Sequence, residues 1–239
     1  MIDTIILCGG KGTRLRSVIS DNPKILADIN GLPFIEYLLN YLEKEGIKRA
    51  ILCTGYKHDQ IEDWVKSSYN GNIEIILSQE KTPLGTAGAI KIAKHLIKSN
   101  NLFVINGDTF LELNYRKFLQ FYYKKKANLI IALTNCRGKN LYGQINIDEE
   151  NRIVFFSEKD RSNFVKTKFI NAGVYILNKE LLNFIPKNNN VSFEYYLLPL
   201  LLKKFERKIF GYFCNGSFID IGTPENLKKS QHILKSIEL

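Results

Sequence analysis

The sequence contains few of the residues that most often hold metals or act as nucleophiles, with four cysteines and three histidines among 239 residues. The cysteines lie far apart and form no C-x-x-C pair, which argues against zinc binding and against a disulfide framework. Two of them, Cys8 and Cys53, stand at the ends of apolar runs, where buried thiols are common. This cysteine usage predicts a protein of the reducing cytoplasm.

Long apolar runs are also missing, which argues against a membrane-spanning protein. The segment LLPLLL around Leu200 is far shorter than the ~20 residues that cross a bilayer. The N-terminus carries Asp3 instead of a basic region, and its apolar stretch soon ends in glycine. We therefore expect neither a signal peptide nor a membrane partner. The composition, 45% hydrophobic and 24% charged, is typical of a soluble domain.

The net charge of +10 has three interpretations: nucleic-acid binding, a site for phosphorylated substrates, or a composition biased toward lysine. The densest basic cluster, YYKKKAN at 122–128, places lysines beside aromatic residues, as RNA-binding surfaces do. The same cluster fits the solvated end of an amphipathic helix from Tyr115 to Lys126, and the sequence favours this second interpretation. Because no RRM, KH or helix-turn-helix pattern accompanies it, we do not expect nucleic acid as a partner.

The first half of the chain alternates between short apolar runs and segments with helical periodicity. In the segment 34–45, the side chains of Phe34, Leu38 and Leu42 share one stripe, and the segment 87–97 has the same periodicity. This alternation predicts βαβ units and an α/β fold, a Rossmann-like, mostly parallel mixed sheet flanked by helices. Ligands of such sheets bind beyond the carboxyl ends of the strands. The predicted strands are Ile5–Cys8, Ala50–Cys53, Ile73–Leu77, Leu102–Ile105 and Asn128–Leu133.

The second half of the chain has a different pattern. Its predicted strands are a hairpin with the turn Asp148–Asn151, followed by Phe169–Leu177 and Lys208–Phe213. We expect a helix over Ser192–Phe205 that is kinked by Pro199, and a final helix with Thr223 as its N-cap and Pro224 at its first position. No linker, repeat or low-complexity segment divides the chain, so residues 1–239 are predicted to form a single domain.

The first apolar run ends in the glycine-rich loop GGKGTRL at 9–15, and Pro23-Lys24 follows after a gap of seven residues. The loop does not match the dinucleotide fingerprint, whose third glycine would stand at Leu15, or a P-loop, which would need lysine after Gly12. Its backbone N–H groups can still form an anion nest, to which Arg14 adds a planar fork and Lys24 a mobile point charge. Alone, the loop is equally compatible with a tight turn whose charges face water.

Seven segments, in chain order, resemble the motifs of the sugar-phosphate nucleotidyltransferases. They are LCGGKGTRL with NPKIL, PLGTAGAI at 83–90, ING with Asp108, YGQI at 142–145, FSEK at 156–159, NAGVYIL at 171–177 and FIDIGTPENL with Asp220. Only RSVISDN at 16–22 departs, because many members have a proline-leucine-threonine segment there. The resemblance implies the nucleotide-diphospho-sugar transferase fold. It also implies an enzyme that joins a sugar 1-phosphate to a nucleoside triphosphate and releases pyrophosphate.

The same resemblance implies roles for individual residues. Asp108 and Asp220 would share Mg²⁺, Arg14 and Lys24 would contact phosphates, and these four are the implied catalytic residues. The implied nucleotide-binding residues are Leu7, Gly9, Gly10, Gly12, Thr13, Arg14, Lys24, Gln79, Gly85, Thr86 and Gly107. The implied sugar-side residues are Gly143, Glu158, Lys159 and Asn171, with Lys159 as the anchor of the sugar phosphate. Asp220 lies between two isoleucines, where an unpaired buried carboxylate would be costly, and this independently favours a cation partner.

The scarcity of histidine agrees with this chemistry. A sugar 1-phosphate is already an anionic nucleophile near neutral pH, so the reaction requires no general base. Catalysis would depend on neutralising charge and on positioning two phosphorylated substrates, which accounts for the basic residues beside the glycines. His58, His95 and His232 lie outside every motif.

The substrate pair also follows from the resemblance. The chain stops soon after FIDIGTPENL, so we expect no C-terminal left-handed β-helix of the kind that many longer members carry. A compact chain with PLGTAGA most resembles the D-glycero-α-D-manno-heptose 1-phosphate guanylyltransferases of bacterial surface-polysaccharide pathways, which implies GTP as the nucleotide. Mannose 1-phosphate guanylyltransferases, and glucose 1-phosphate thymidylyl- or cytidylyltransferases, are the alternatives. Family members often associate, so the resemblance also implies a homo-oligomer.

Overall fold

The first strand, β1 (Asp3–Leu7), is buried on both faces, as its apolar run predicts. Ile5 and Ile6 are both 0% exposed and pack into hydrophobic clusters on opposite faces of the sheet. The computed structural model describes residues 2–15, 19, 22–135, 142–158, 167–187 and 189–237. Because hydrophobic clusters pack against both faces of β1, this strand holds the start of the glycine-rich loop at the centre of the fold.

The described strands and helices extend over most of the chain. The remaining strands are β2 (Asp28–Ile29), β3 (Leu32–Pro33), β4 (Arg49–Thr54), β5 (Glu74–Gln79), β6 (Asn101–Asn106), β7 (Thr109–Leu111), β8 (Leu129–Asn135), β9 (Gln144–Ile147), β10 (Ile153–Ser157), β11 (Phe169–Asn178), β12 (Ile209–Phe213) and β13 (Phe218–Asp220). The α-helices are α1 (Phe34–Lys44), α2 (His58–Ser67), α3 (Gly85–Ala93), α4 (Tyr115–Lys125), α5 (Leu198–Lys204) and α6 (Pro224–Lys235).

Nine of the described strands form one mixed sheet in the order β10-β9-β11-β6-β1-β4-β5, with β8 joining β11 to β12. Strands β6, β1, β4 and β5 are parallel, and β11 runs antiparallel to β6, β8 and β9. This confirms the predicted Rossmann-like α/β fold with its mixed sheet. The carboxyl ends of the four parallel strands meet at one edge, where the loops that follow them can share a ligand.

Most of the predicted helices are confirmed within a few residues. Helix α4 buries Tyr115, Phe118 and Tyr122, so the basic cluster at 122–128 is the end of an amphipathic helix, as predicted. The side chain of Thr223 accepts a hydrogen bond from the Asn226 N–H and caps α6. The sequence did not predict α2 or the short strands β2, β3, β7 and β13. None of the described helices is both long and apolar enough to cross a membrane.

The predicted helix over Ser192–Phe205 is confirmed within one residue at each end, but its first turn is irregular. A π-helical turn at Phe193–Leu197 continues directly into the α-helix α5, in which Pro199 occupies a first-turn position. Proline is tolerated there because the N–H that it lacks would have no partner within the helix. The wider π turn follows Ser192, whose side chain accepts from the N–H groups of Glu194 and Tyr195. This segment reaches the functional edge of the sheet.

Candidate active site

The glycine-rich loop begins where β1 ends. Cys8 donates its N–H to the Cys53 carbonyl at 2.8 Å, which extends the pairing of β1 with β4 by one residue. At Gly12 the backbone adopts φ of +57°, a conformation that favours glycine. The carbonyl of Gly12 accepts from the Leu15 N–H at 2.9 Å, and Leu15 is fully buried. This anchor fixes the 3₁₀ turn Thr13–Leu15 and holds Arg14 in the wall of a cleft.

Lys24 lies in a second 3₁₀ turn, Lys24–Leu26, which is anchored by the buried side chain of Ile25. Its ammonium group forms an ion pair with the Asp108 carboxylate, and its Nζ lies 3.7 Å from Oδ1 of Asp220. The side chain of Lys24 is 11% exposed, that of Asp220 19% and that of Asp108 36%. The three charges therefore meet where solvent screens them only in part, and they interact more strongly than surface charges do.

Backbone pairing brings the two aspartates together from distant parts of the chain. Asp108 follows β6 and precedes β7, and β13 ends with Asp220 opposite Thr109 of β7. The N–H of Ile221 donates to the Asp108 carbonyl at 2.9 Å. On the other side, Gly107 donates its N–H to the Leu7 carbonyl at 3.0 Å. The loop after β6 is thus tied both to β1 and to β13.

The pKa values of the Asp108 and Asp220 carboxyl groups are shifted in opposite directions. Burial, the largest single effect, would raise the pKa of Asp108, but the Lys24 ammonium and the hydrogen bonds to the carboxylate together hold the pKa below its usual value. Burial raises the pKa of Asp220, and the nearby negative charge of Asp108 raises it further. A Cβ built on Gly222 would lie 3.0 Å from both Arg14 Nη2 and Lys24 Nζ, so a second cation adjoins the pair. The cluster thus combines two carboxylates with an ammonium and a guanidinium group.

Tyr142 lines the cleft close enough to this cluster to be affected by its charges. Burial and the Asp220 charge raise the pKa of Tyr142 to about 12. Its ring contacts that of Phe218 with centroids 5.4 Å apart, and its hydroxyl accepts from the Asn226 side chain at 3.3 Å. Tyr142 therefore remains a neutral hydroxyl beside the carboxylates and lowers the polarity of their surroundings.

A tight turn before α3 forms the opposite wall of the cleft. Gly85 has φ of +72°, and a Cβ there would lie 2.5 Å from the Val191 carbonyl oxygen, so only glycine fits. The same carbonyl accepts from the Ala87 N–H at 2.9 Å, and Val191 donates its own N–H to Leu84 at 2.7 Å. The segment around Val191 thus clamps the beginning of α3.

A chain of hydrogen bonds connects this turn to β11. The hydroxyl of Thr86 donates to Glu194 Oε2 at 3.1 Å and accepts from the Phe193 N–H at 2.7 Å. Oε1 of Glu194 accepts from the Tyr175 hydroxyl at 3.3 Å, and that hydroxyl accepts from the Asn171 side chain at 2.7 Å. Burial and the Glu194 charge hold the pKa of Tyr175 well above its usual value. Two walls of the cleft are therefore coupled by side chains.

The region that the sequence assigns to the sugar lies beside β11. The carbonyl of Gly143 accepts from the Asn171 N–H at 2.8 Å. A Cβ at Gly143 would collide with the Glu158 carboxylate, so glycine is needed for that side chain to reach the cleft. The side-chain oxygen of Asn171 accepts from the Gly173 N–H at 3.0 Å. Lys159 lies outside the described residues, so its predicted role stays a prediction.

The loops and turns described above surround one cleft of about 860 Å³, a volume within the usual range for small-molecule sites. Most of the sequence-predicted residues that the structure describes line it: Leu7, Gly9, Gly10, Gly12, Thr13, Arg14, Lys24, Gly85, Thr86, Asp108, Gly143, Glu158, Asn171 and Asp220. Two described residues, Gln79 and Gly107, are not among the lining residues. Gln79 is exposed at the end of β5, and Gly107 is buried against Leu7, where a Cβ would lie 2.6 Å from the carbonyl oxygen.

The sequence analysis also missed several residues that line the cleft, namely Glu80, Tyr142, Asn190, Glu194, Tyr195 and Gly222. Glu80 had a weak signal, because it comes three residues after the predicted strand Ile73–Leu77, whereas in the structure it directly follows β5, which ends at Gln79. Tyr142 and Gly222 lie inside recognised motifs but were given no role. Glu194 and Tyr195 had no usable signal, because they belong to the π turn that was expected to be a helix.

Comparison with known proteins agrees with this geometry. A model of the nucleotidyl transferase family matches residues 3–236, and the chain belongs to that family. Two curated relatives are D-glycero-alpha-D-manno-heptose 1-phosphate guanylyltransferases. The one from Aneurinibacillus thermoaerophilus is 40% identical over 98% of this chain and 99% of its own. The one from Campylobacter jejuni is 40% identical over 94% of this chain and 96% of its own.

A solved structure has the same fold as this chain. HddC from Yersinia pseudotuberculosis, crystallised in complex with GMP-PN, superposes with a TM-score of 0.84. It is 39% identical, and the match covers 97% of this chain and 99% of that protein. The match therefore includes both the half that carries the glycine-rich loop and the half that carries β11.

Proposed function

We propose that this protein transfers GMP from GTP to D-glycero-α-D-manno-heptose 1-phosphate and releases pyrophosphate. The observation that carries the proposal is the 40% identity, over nearly the full length, to two enzymes named for this reaction. The complex of HddC with GMP-PN supports a guanine nucleotide. The product, GDP-heptose, would supply the synthesis of a bacterial surface polysaccharide. Three free thiols among the described residues, Cys8, Cys53 and Cys214, agree with a cytoplasmic location.

The reaction is a substitution at the α-phosphorus of GTP. An oxygen of the sugar phosphate forms the new P–O bond, and the bond from the α-phosphorus to the bridging oxygen breaks, so pyrophosphate leaves. The nucleophile is an anion at neutral pH and no proton has to be removed first. The protein must hold two anions in line and offset the charge that accumulates between them.

The residues around the glycine-rich loop are suited to this task. Backbone N–H groups of residues 9–13 can face the triphosphate, and the guanidinium of Arg14 can bridge two of its oxygens. The ammonium of Lys24 points at the carboxylate pair in the structure and has the length to contact a phosphate oxygen instead. Preorganised donors of this kind stabilise the transition state because they need little rearrangement during the reaction.

The donor set of Asp108 and Asp220 fits Mg²⁺. Both carboxylates converge on the Lys24 ammonium, and burial together with repulsion from Asp108 raises the pKa of Asp220, so a further positive charge would be favourable there. Among the described residues, no third histidine, cysteine, aspartate or glutamate completes a metal-binding group. Phosphate oxygens and waters would therefore have to supply the other ligands, which is usual for this ion. When bound, the ion would neutralise phosphate charge and help to orient the α-phosphate.

The second half of the chain would hold the sugar. Glu158 reaches the cleft over Gly143, where its carboxylate can accept from sugar hydroxyls. The side chain of Asn171 donates a hydrogen bond to the Tyr175 hydroxyl and accepts one from the Gly173 N–H. Its main contribution would therefore be to stabilise the shape of β11. Lys159 would neutralise the sugar phosphate. In this proposal both halves of the chain act as one catalytic domain.

A pyrophosphate-release screen tests the proposal. The purified protein with Mg²⁺ is combined with GTP, ATP, CTP, UTP or dTTP, and with heptose, mannose or glucose 1-phosphate. We expect the highest kcat/KM for GTP with the heptose. A clear preference for a pyrimidine triphosphate would contradict the nucleotide assignment, and a preference for mannose 1-phosphate would contradict the sugar assignment.

A further inference from the structure

Asn106 ends β6, between the strand that leads to the glycine-rich loop and the strand on the sugar side of the cleft. In the parallel pairing of β6 with β1, it stands opposite Leu7. In the antiparallel pairing of β6 with β11, Ile105 stands opposite Val174, which places Asn106 beside Gly173. Asn106, Leu7 and Gly173 all line the cleft. Asn106 therefore lies where the two halves of the chain meet.

The glycine at position 173 creates the space for the Asn106 side chain. Gly173 has φ of +70°, and a Cβ built there would lie 2.8 Å from Nδ2 of Asn106 and 3.2 Å from its Cβ. The N–H of Gly173 donates to the Asn171 side chain at 3.0 Å, which fixes the backbone of β11 at this point. The amide of Asn106 thus lies directly against β11, in the wall of the cleft.

The amide oxygen of Asn106 has no hydrogen-bond donor in the part of the chain that the structure describes. Oδ1 is shielded from solvent, and none of the described residues donates to it. An unsatisfied buried acceptor is costly, so its presence in a folded protein calls for a specific role. A half-turn about the Cβ–Cγ bond exchanges Oδ1 with Nδ2 and leaves the rest of the residue in place. The amide can therefore present either an acceptor or a donor to a ligand in the cleft.

The chemistry of this amide suits a hydroxyl group better than a phosphate. The groups proposed to meet phosphate are the cations of Arg14 and Lys24, whereas the Asn106 amide is neutral. A sugar hydroxyl both donates and accepts, so it can bond to either atom of the amide. Asp108 lies two residues further along the chain, in the ion-paired cluster beside which the phosphates are proposed to lie. A sugar hydroxyl that contacts Asn106 is therefore one close to the phosphate.

We propose that Asn106 is a specificity-determining residue that forms a hydrogen bond with the C2 hydroxyl of the sugar 1-phosphate. This inference rests on the proposed function, because it assumes that a sugar 1-phosphate is the nucleophile. Carbon 2 adjoins the carbon that carries the phosphate, so its hydroxyl is the sugar hydroxyl nearest to the reacting group. A sugar without that hydroxyl would leave the amide unpaired in the occupied cleft, and this penalty produces the discrimination.

The test compares D-glycero-α-D-manno-heptose 1-phosphate with its 2-deoxy analogue, each with GTP and Mg²⁺. We expect the unaltered protein to prefer the parent sugar roughly 10- to 100-fold in kcat/KM, the factor for one buried hydrogen bond left unmade. In Asn106→Leu, which has a similar size but no polar side-chain atom, this preference should largely disappear. The loss should come from slower use of the parent sugar, with little change for the analogue.

A second pair of substrates makes the test independent of the exact sugar. The same comparison is made with mannose 1-phosphate and its 2-deoxy analogue, which differ from each other at the same carbon. Any difference in intrinsic reactivity between a sugar and its 2-deoxy analogue is the same for every variant. It therefore cancels when the preference of a variant is compared with that of the unaltered protein.

Matched variants separate recognition of the hydroxyl from damage to the fold. Asn100→Leu alters an exposed asparagine just before β6, at the opposite end of that strand, and should leave the preference unchanged. Asn106→Ala removes the amide without adding bulk and should reduce the preference as Asn106→Leu does. Thermal unfolding of each variant, followed by circular dichroism, shows whether it is folded under the assay conditions. A purely structural role for Asn106 would lower kcat/KM for parent and analogue by the same factor.

The possible outcomes distinguish this inference from the proposed function. Absence of pyrophosphate release by the unaltered protein with GTP and every sugar 1-phosphate would overturn the proposed function. Release with equal kcat/KM for a parent sugar and its 2-deoxy analogue would overturn the role of Asn106 alone. The same conclusion would follow if folded Asn106→Leu and Asn106→Ala kept the full preference, or lost activity equally with parent and analogue.

Discussion

The ammonium group of Lys24 forms an ion pair with Asp108 and lies 3.7 Å from Oδ1 of Asp220, between two carboxylates contributed by distant strands. One cation therefore compensates two partly buried anions. It lowers the pKa of Asp108 against the effect of burial, whereas the pKa of Asp220 stays raised. This unequal compensation predicts different consequences for the loss of each charge.

Replacement of Lys24 by methionine tests its contribution to catalysis and to stability. We expect kcat to fall at least about 100-fold, because one charged donor in such a site contributes about 3 kcal/mol to the transition state. The pKa of Asp108 should rise, since its main cationic partner is gone. Lys124→Met, at an exposed position of α4, is the control and should retain normal turnover.

The Lys24→Met change also has a predicted pH dependence. A carboxylate whose folded-state pKa is lowered stabilises the protein above its unfolded-state pKa, and this stabilisation is lost as the pH falls through the folded-state value. The unaltered protein should therefore exceed Lys24→Met in unfolding free energy at neutral pH, with the gap closing below about pH 4. Urea titrations across the pH range measure this gap. A constant gap would contradict the assigned ion pair.

The two aspartates should respond to neutralisation in opposite ways. Asp108→Asn deprives Lys24 of its partner and should lower the melting temperature measured without metal. Asp220→Asn relieves a like-charge repulsion and should raise it by about 2–4 °C, the shift for ~1 kcal/mol in a chain of this size. Both variants should lose turnover and bind Mn²⁺, as a probe for Mg²⁺, more weakly in a titration followed by electron paramagnetic resonance. Equal shifts of melting temperature in the same direction would contradict this assignment.

Gly143→Ala tests the sugar side of the cleft. The new Cβ would displace the Glu158 carboxylate, so KM for the sugar phosphate should rise at least about 10-fold, while KM for GTP changes much less. Gly46→Ala is a suitable control, because Gly46 has φ of +88° but open space around it. That variant should lose stability through backbone strain without any change in either KM. Similar increases in both KM values for Gly143→Ala would argue against a sugar-side role.

Glu194 accepts hydrogen bonds from Thr86 and Tyr175 and so joins the two walls of the cleft. Glu194→Ala should lower the free energy of unfolding by about 1–3 kcal/mol, the cost of leaving the buried Tyr175 hydroxyl and the half-buried Thr86 hydroxyl without this acceptor. Thr86→Val should lower the free energy of unfolding by less in the Glu194→Ala variant than in the unaltered protein, because the hydrogen bond between Thr86 and Glu194 is already absent there. A double-mutant cycle in urea measures this coupling, and strict additivity would exclude it.

The fold followed largely from local patterns in the sequence. The apolar run of β1, the stripe on α1 and the cap at Thr223 are each determined by residues close in the chain, so periodicity and capping rules located them. The positions of Asp108 and Asp220 followed from resemblance, because the pairing of β7 with β13 involves three residues in each strand and leaves no periodic signal.

Other features depend on contacts that no local pattern contains. The turn at Gly85 is held by backbone hydrogen bonds to Val191, which is more than a hundred residues away in the chain. The π turn that follows Val191 has the sequence pattern of an ordinary helix. Successive side chains at the end of β5 point to opposite sides, so a shift of one residue decides which side chain faces the cleft. The sequence analysis therefore chose Gln79, which is exposed, over Glu80, which lines the cleft.

The proposed reaction makes a GDP-sugar from GTP and a heptose 1-phosphate. Its most direct test is mass spectrometry of the products formed by the purified protein with GTP, D-glycero-α-D-manno-heptose 1-phosphate and Mg²⁺. We predict GDP-heptose and pyrophosphate in equal amounts, and neither product with the Asp108→Asn variant. Unchanged GTP and sugar phosphate after incubation with the folded, unaltered protein would contradict it.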